Sequence, residues 1–176
     1  KTAYEISTRD WSSDVCSSDL ETTYKSQLAA LPKRLELAAA AEARRAVASI
    51  APASDEHSFK DFFDLHLARL HDIGDLLDGH GIMLGLAIRP EAEAREGKPH
   101  QFVHTFEGLL GLVTVAHPRI GAVADAWAFH VTGEPLNLIT KVPQGRLVEV
   151  RLSDAPRDTA SRALVATQRL MPGETG

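Results

Sequence analysis

Beyond its first twenty residues this chain has no cysteine: the single one among 176 residues is Cys16. Disulfides, zinc–thiolate sites and thiol catalysis are thereby excluded for residues 21–176. Long apolar runs are missing as well. No stretch approaches the roughly twenty apolar residues that a membrane helix needs. Nor is there a surplus of positive charge, since 19 Lys and Arg face 24 Asp and Glu. Such a balance suits a soluble, cytoplasmic protein and argues against a binder of nucleic-acid phosphates.

The first twenty residues stand apart. Back-translated, 1–6 and 11–20 read like pieces of a sequencing-library adapter, with Ser7, Thr8 and Arg9 where a variable index falls. Residues 1–20 are therefore set aside as adapter-derived and not native, and fold reasoning begins at Glu21. Removing the two basic and four acidic residues of that leader leaves 17 and 20, a net charge of −3.

Residues 21–176 amount to one domain or part of a larger one. Leu28, Leu31, Leu35 and Leu37 with an alanine run predict a helix over about 21–44. A short apolar strand follows at 46–50. Phe59, Phe62, Phe63, Leu67, Leu70, Ile73 and Leu77 recur at three and four, which predicts a helix over 58–79. The next strand is 82–88, and a polar loop runs to about His100. Thr105 caps a predicted helix reaching about His117. Residues 120–125 form the third strand, a short helix lies near 134–140, and 146–152 is the fourth strand. Continuous apolar strands alternating with amphipathic helices imply βαβ units and a parallel sheet, so the chain reads as four consecutive β/α units.

The third strand ends on a carboxylate: the run IGAVAD closes at Asp125 and passes straight into Ala126 and Trp127. Parallel α/β sheets place their chemistry at the C-terminal ends of strands. Asp125 is thus either a site residue or a strand-end cap.

Several segments together resemble the sugar phosphate isomerase/epimerase family, the xylose isomerase-like TIM barrels. They are LPKRLELAAA at 31–40, GHGIMLGL at 79–86, FVHTF at 102–106, Asp125-Ala126-Trp127, VEVRLSDAP at 148–156 and RLMPGETG at 169–176. The resemblance covers essentially all of 21–176. It implies a fragment of a (β/α)8 barrel, about strands 4 to 7 with their helices. It also implies isomerisation or epimerisation of a sugar or related hydroxy-carbonyl compound, by proton transfer assisted by a divalent metal (Mn, Mg, Co or Zn).

That family's metal is held by Glu, Asp, His and Glu from strands five to eight. Carried onto this chain, the first Glu falls on Ala87, the Asp on Asp125 and the His on Arg151, while the last Glu lies beyond residue 176. A histidine that contacts substrate in the family falls on Ala128. Asp125 is the one metal ligand present, and a catalytically silent homologue acting as a binding or accessory module is the alternative reading. Arg151 either grips a substrate carboxylate or phosphate, or pairs with Asp125 across adjacent strand ends. His130 either substitutes for the histidine missing at Ala128, or is a loop histidine with a backbone partner. Trp127 is read as a packed lid over the barrel mouth or a ring facing a sugar, and Arg169 as a contact to a substrate anion or a surface residue. Glu91 is assigned to a solvated acidic loop from which it could also reach inward. Asp154, helped by Ser153, is expected to cap its own turn. The remaining histidines, His66 among them, are read as surface or capping residues. An endonuclease-IV-like three-zinc site needs more His and Glu ligands than this acidic chain brings. Four strands cannot close a barrel, so open edges near 46–50 and 146–152 predict poor solubility or homo-oligomers.

Overall fold

Strand β1 (Arg45–Ser49) follows helix α1 (Glu21–Ala40), which is fastened to the core by buried Tyr24, Leu31 and Leu35. The coordinates are a computed structural model that describes residues 21–175. The leader of residues 1–20, read as adapter-derived, lies outside the described residues. Helix α2 (Phe59–Asp78) starts where the Ser58 side chain accepts the Asp61 backbone N–H. Its Phe62, Leu70, Ile73 and Leu77 are buried in the pattern the sequence shows. Each such side chain contributes about 1.5–3 kcal/mol by leaving water. A Cβ on Gly74 would sit 2.2 Å from the His117 ring, so α2 can approach that segment only because residue 74 is glycine.

Strand β3 (Met83–Ala87), helix α3 (Phe106–Val115), strand β5 (Ile120–Asp125) and strand β6 (Leu147–Arg151) complete the repeating units. The four strands form one parallel sheet in the order β1-β3-β5-β6. Ala46 pairs with Leu84, Leu84 with Ile120, and Asp125 with Arg151. All six residues of β5 are buried, as a central parallel strand requires. Next to β6 the register shifts between Ala122 and Val123. Gly121 permits this contact, because a Cβ there would lie 2.2 Å from the Arg146 carbonyl oxygen. The expected alternation of strands and helices is therefore what the chain forms. Two-residue strands β2 (Ala53–Ser54) and β4 (His100–Gln101), on the loops after β1 and β3, pair antiparallel with each other.

Two elements and one residue differ from expectation. Helix α4 (Ala126–Thr132) begins directly at the end of β5, with Asp125 as its cap and Gly133 ending it at φ 72°. The sequence hides this boundary inside one apolar run. The segment expected as a short helix near 134–140 is a 3₁₀ stretch, Leu136–Lys141. His66 is not a surface residue: it is wholly buried, with ring centroids of Phe62 and Phe102 4.3 and 4.8 Å away. Its Nδ1 donates to the Phe62 carbonyl at 2.9 Å, and its Nε2 is buried without a partner. Burial pushes the His66 pKa down to about 4, against the opposing pull of that hydrogen bond. Among the described residues no helix is long and apolar enough to cross a membrane.

Candidate functional site at the strand C-termini

Asp125 is the last residue of β5 and the N-cap of α4, so one side chain serves both elements. It is 7 % exposed. Its Oδ1 accepts the Trp127 backbone N–H at 3.0 Å. Its Oδ2 accepts Nη1 of Arg169 at 2.8 Å. A charge-assisted bond from a guanidinium to a nearly buried carboxylate is among the stronger polar contacts a fold makes.

Arg169 is delivered from far along the chain. Asp154 and Leu170 exchange backbone hydrogen bonds at 3.0 Å, and the Ala166 N–H donates to Glu93 Oε1 at 3.2 Å. Leu164 buries itself against Trp127 and Val131 of α4. These contacts hold the C-terminal segment across the strand ends and set the Arg169 guanidinium 5.4 Å from the centre of the Trp127 ring, within cation–π range.

Trp127 is 1 % exposed, and its Nε1 donates to Glu91 Oε1 at 2.7 Å. Its ring is packed rather than presented to an open mouth. Glu91 also departs from expectation. It does not belong to a solvated loop: it is 5 % exposed, because the indole N–H gives its carboxylate a buried partner. Nothing in the local sequence signals that pairing, which spans 36 positions.

Arg151 stands beside Asp125 in register but does not pair with it. Its guanidinium forms an ion pair with Glu149, two residues back on the same strand face, while Arg169 takes Asp125. The expected Asp125–Arg151 pair is thus replaced on both sides. His130 is exposed in the last turn of α4, not on a loop, whereas Ala128 is buried two residues earlier. Asp154 caps a distant turn instead of its own: its Oδ2 accepts the backbone N–H groups of Gly173 at 2.7 Å and Thr175 at 3.4 Å, which hold its carboxyl below the usual range. Ser153 gives no help, for its Oγ is buried without a partner. The structure thus brings Asp125, Trp127, Arg169 and Glu91 into one network, sets Arg151 next to it, and leaves His130 outside.

A search of solved structures finds this architecture repeatedly. A protein described as a xylose isomerase domain protein from Alicyclobacillus acidocaldarius superposes with TM-score 0.78 at 24% identity, over 89% of this chain and 55% of its own. The fold is that of part of a xylose isomerase-like TIM barrel. The IOLI protein, described with a binding zinc atom, superposes with TM-score 0.69 at 18% identity, over 87% of this chain and 51% of its own. A D-tagatose 3-epimerase-like protein does so with TM-score 0.62 at 18% identity, over 80% and 52%. This chain therefore spans about half the length of those three proteins. The sequence matches no family model and no curated protein.

The divalent metal that this barrel type implies does not fit the donors found here. Both Asp125 oxygens already accept hydrogen bonds, one of them from a guanidinium. Ala87 brings no donor atom, and Arg151 brings a positive charge. Among the described residues no three His, Cys, Asp or Glu come together in a way that could hold a metal.

Proposed function

We propose that the protein binds a sugar or related hydroxy-carbonyl compound at the C-terminal ends of its strands, as part of an isomerase/epimerase-type barrel. One observation carries this reading: Asp125 and Arg151 end adjacent parallel strands in register, with Arg169 laid over them. In barrels of this architecture the strand C-termini and the loops after them hold the ligand. Several solved structures sharing the fold are described as sugar epimerases, among them an L-ribulose 3-epimerase. Arg151 and Arg169 are the side chains that would donate to ligand oxygens. Asp125 orders the strand end, while Trp127 supports Arg169 from below. The unit that does this is residues 21–176, with 1–20 taken as foreign. Its mildly acidic balance, a net charge of −3, supports a cytoplasmic place for that unit.

A second reading has its own support: a binding or accessory module without proton transfer. Ala87, Ala128 and Arg151 stand where the resemblance would put a metal ligand, a substrate contact and a second metal ligand. Titration calorimetry with ketopentoses, ketohexoses and their phosphates tests the binding, and Arg151→Ala should weaken it at least about tenfold, the worth of one good charged hydrogen bond. Incubation in D2O separates the readings. Deuterium appearing on the carbon beside the carbonyl marks an isomerase or epimerase; binding without exchange marks the module. No measurable affinity for any of these sugars would sink both.

A further inference from the structure

We propose that Arg169 takes the place of the divalent cation beside Asp125, so that the strand-end carboxylate is a positioning residue for a guanidinium and not a metal ligand. The inference rests on reading the strand ends as the binding site, and it concerns how that site is charged.

The two oxygens of Asp125 are used in different ways. Oδ1 accepts the Trp127 backbone N–H at 3.0 Å and fixes the carboxylate to the first turn of α4. Oδ2 then faces Nη1 of Arg169 at 2.8 Å. A divalent ion would need Oδ2 and would have to displace a guanidinium held from several directions. The Trp127 ring lies 5.4 Å from the guanidinium carbon, and the flanking chain is fixed through Leu170 to Asp154 and through Ala166 to Glu93. Glu91 in turn pins the indole through Nε1 at 2.7 Å. The surroundings also disfavour a cation: Arg151 is the register partner of Asp125, and Ala87 offers nothing. Divalent metals of this type need several oxygen or imidazole donors from the protein, and one engaged carboxylate is a poor start. A guanidinium supplies positive charge permanently and donates in fixed directions, but it is not a Lewis acid. Arg169 uses Nη1 on Asp125, and its side chain is 35% exposed, so its other N–H groups can reach the oxygens of a hydroxy-carbonyl ligand.

The test uses the full chain and the metals themselves. Mn2+ and Co2+ are added to uniformly 15N-labelled protein, and the Trp127 backbone and indole resonances are followed. The Trp127 backbone N–H donates to the Asp125 carboxylate and its indole N–H to Glu91, so a paramagnetic ion bound at Asp125 must broaden or shift the backbone resonance first. The expected result is no effect at millimolar metal in the wild type. In Arg169→Met the freed carboxylate should admit the ion, giving selective broadening at Trp127 that Asp125→Asn added to Arg169→Met removes. Melting temperatures supply an independent reading. Asp125→Asn and Arg169→Met should lower the melting temperature by similar amounts, and the double variant by little more than either alone. Should Arg169→Met fail to fold, the wild-type titration still decides. One-to-one binding of Mn2+ or Co2+ to wild type, with broadening at Trp127 that Asp125→Asn abolishes, would overturn the proposal. Additive losses in the double variant would count against it too. Failure to bind any sugar would remove the function proposed above and leave this metal result as it stands.

Discussion

At the residue scale the chain's oddest side chain is His66, a histidine closed inside an aromatic cluster with one ring nitrogen unsatisfied. Its folded pKa of about 4 lies below the ordinary value of 6.5. As pH falls, the unfolded chain therefore takes up the proton first. Stability from this group is complete above about pH 6.5 and falls as pH drops toward 4, by about 3 kcal/mol in all. Below pH 4 the group adds no further loss. Half-buried His104, whose pKa burial also lowers, acts in the same direction. His66→Leu should flatten the stability profile between pH 6.5 and 4 in chemical denaturation; an unchanged slope would contradict this account. His66 was hard to foresee, because one polar residue on an amphipathic helix reads equally well as surface. Asp125, by contrast, was legible from the strand it terminates. Its partners were not: Arg169 and Glu91 reach the site through contacts spanning 44 and 36 positions, which no local pattern encodes.

Among the elements, the parallel strands and α1 to α3 follow directly from apolar periodicity, and their ends fall within a few residues of expectation. Helix α4 escaped because Asp125 serves as strand end and helix cap with no intervening loop. Helix α3 shows the same reliance on distant groups. Thr105 caps it locally through the Gly108 N–H at 3.1 Å, as its sequence announces. Its other free donors, the backbone N–H groups of Phe106 and Glu107, go to the Glu134 carboxylate at 2.7 and 2.9 Å. A negative charge at a helix N-terminus is favourable in itself, and satisfying orphan donors adds to it. Glu134→Ala should cost about 1 kcal/mol and lower the melting temperature by about 2–4 °C. Glu134→Gln, which keeps one acceptor, should cost less. Equal losses for the two variants would show that the carboxylate charge matters and the acceptor geometry does not.

On the scale of the whole molecule, the sheet carries its own consequence. Strands β1 and β6 are the outer strands of the described sheet. On β6 and just past it, Val150 is 56% exposed and Leu152 is likewise exposed, where the central strand β5 is buried throughout. An uncovered edge with apolar side chains invites pairing with another chain. Sedimentation of residues 21–176 should therefore show concentration-dependent association, and Val150→Lys should reduce it. A monodisperse monomer at all concentrations would contradict that expectation. The same sheet sets the functional account, since its C-terminal edge is where Asp125, Arg151 and Arg169 converge. The most direct test of that account is a map of amide shifts in the 15N-labelled full chain as ketohexoses and their phosphates are added. Saturable shifts centred on Asp125, Trp127, Arg151 and Arg169 are expected. Shifts centred elsewhere, or none at saturating sugar, would contradict it.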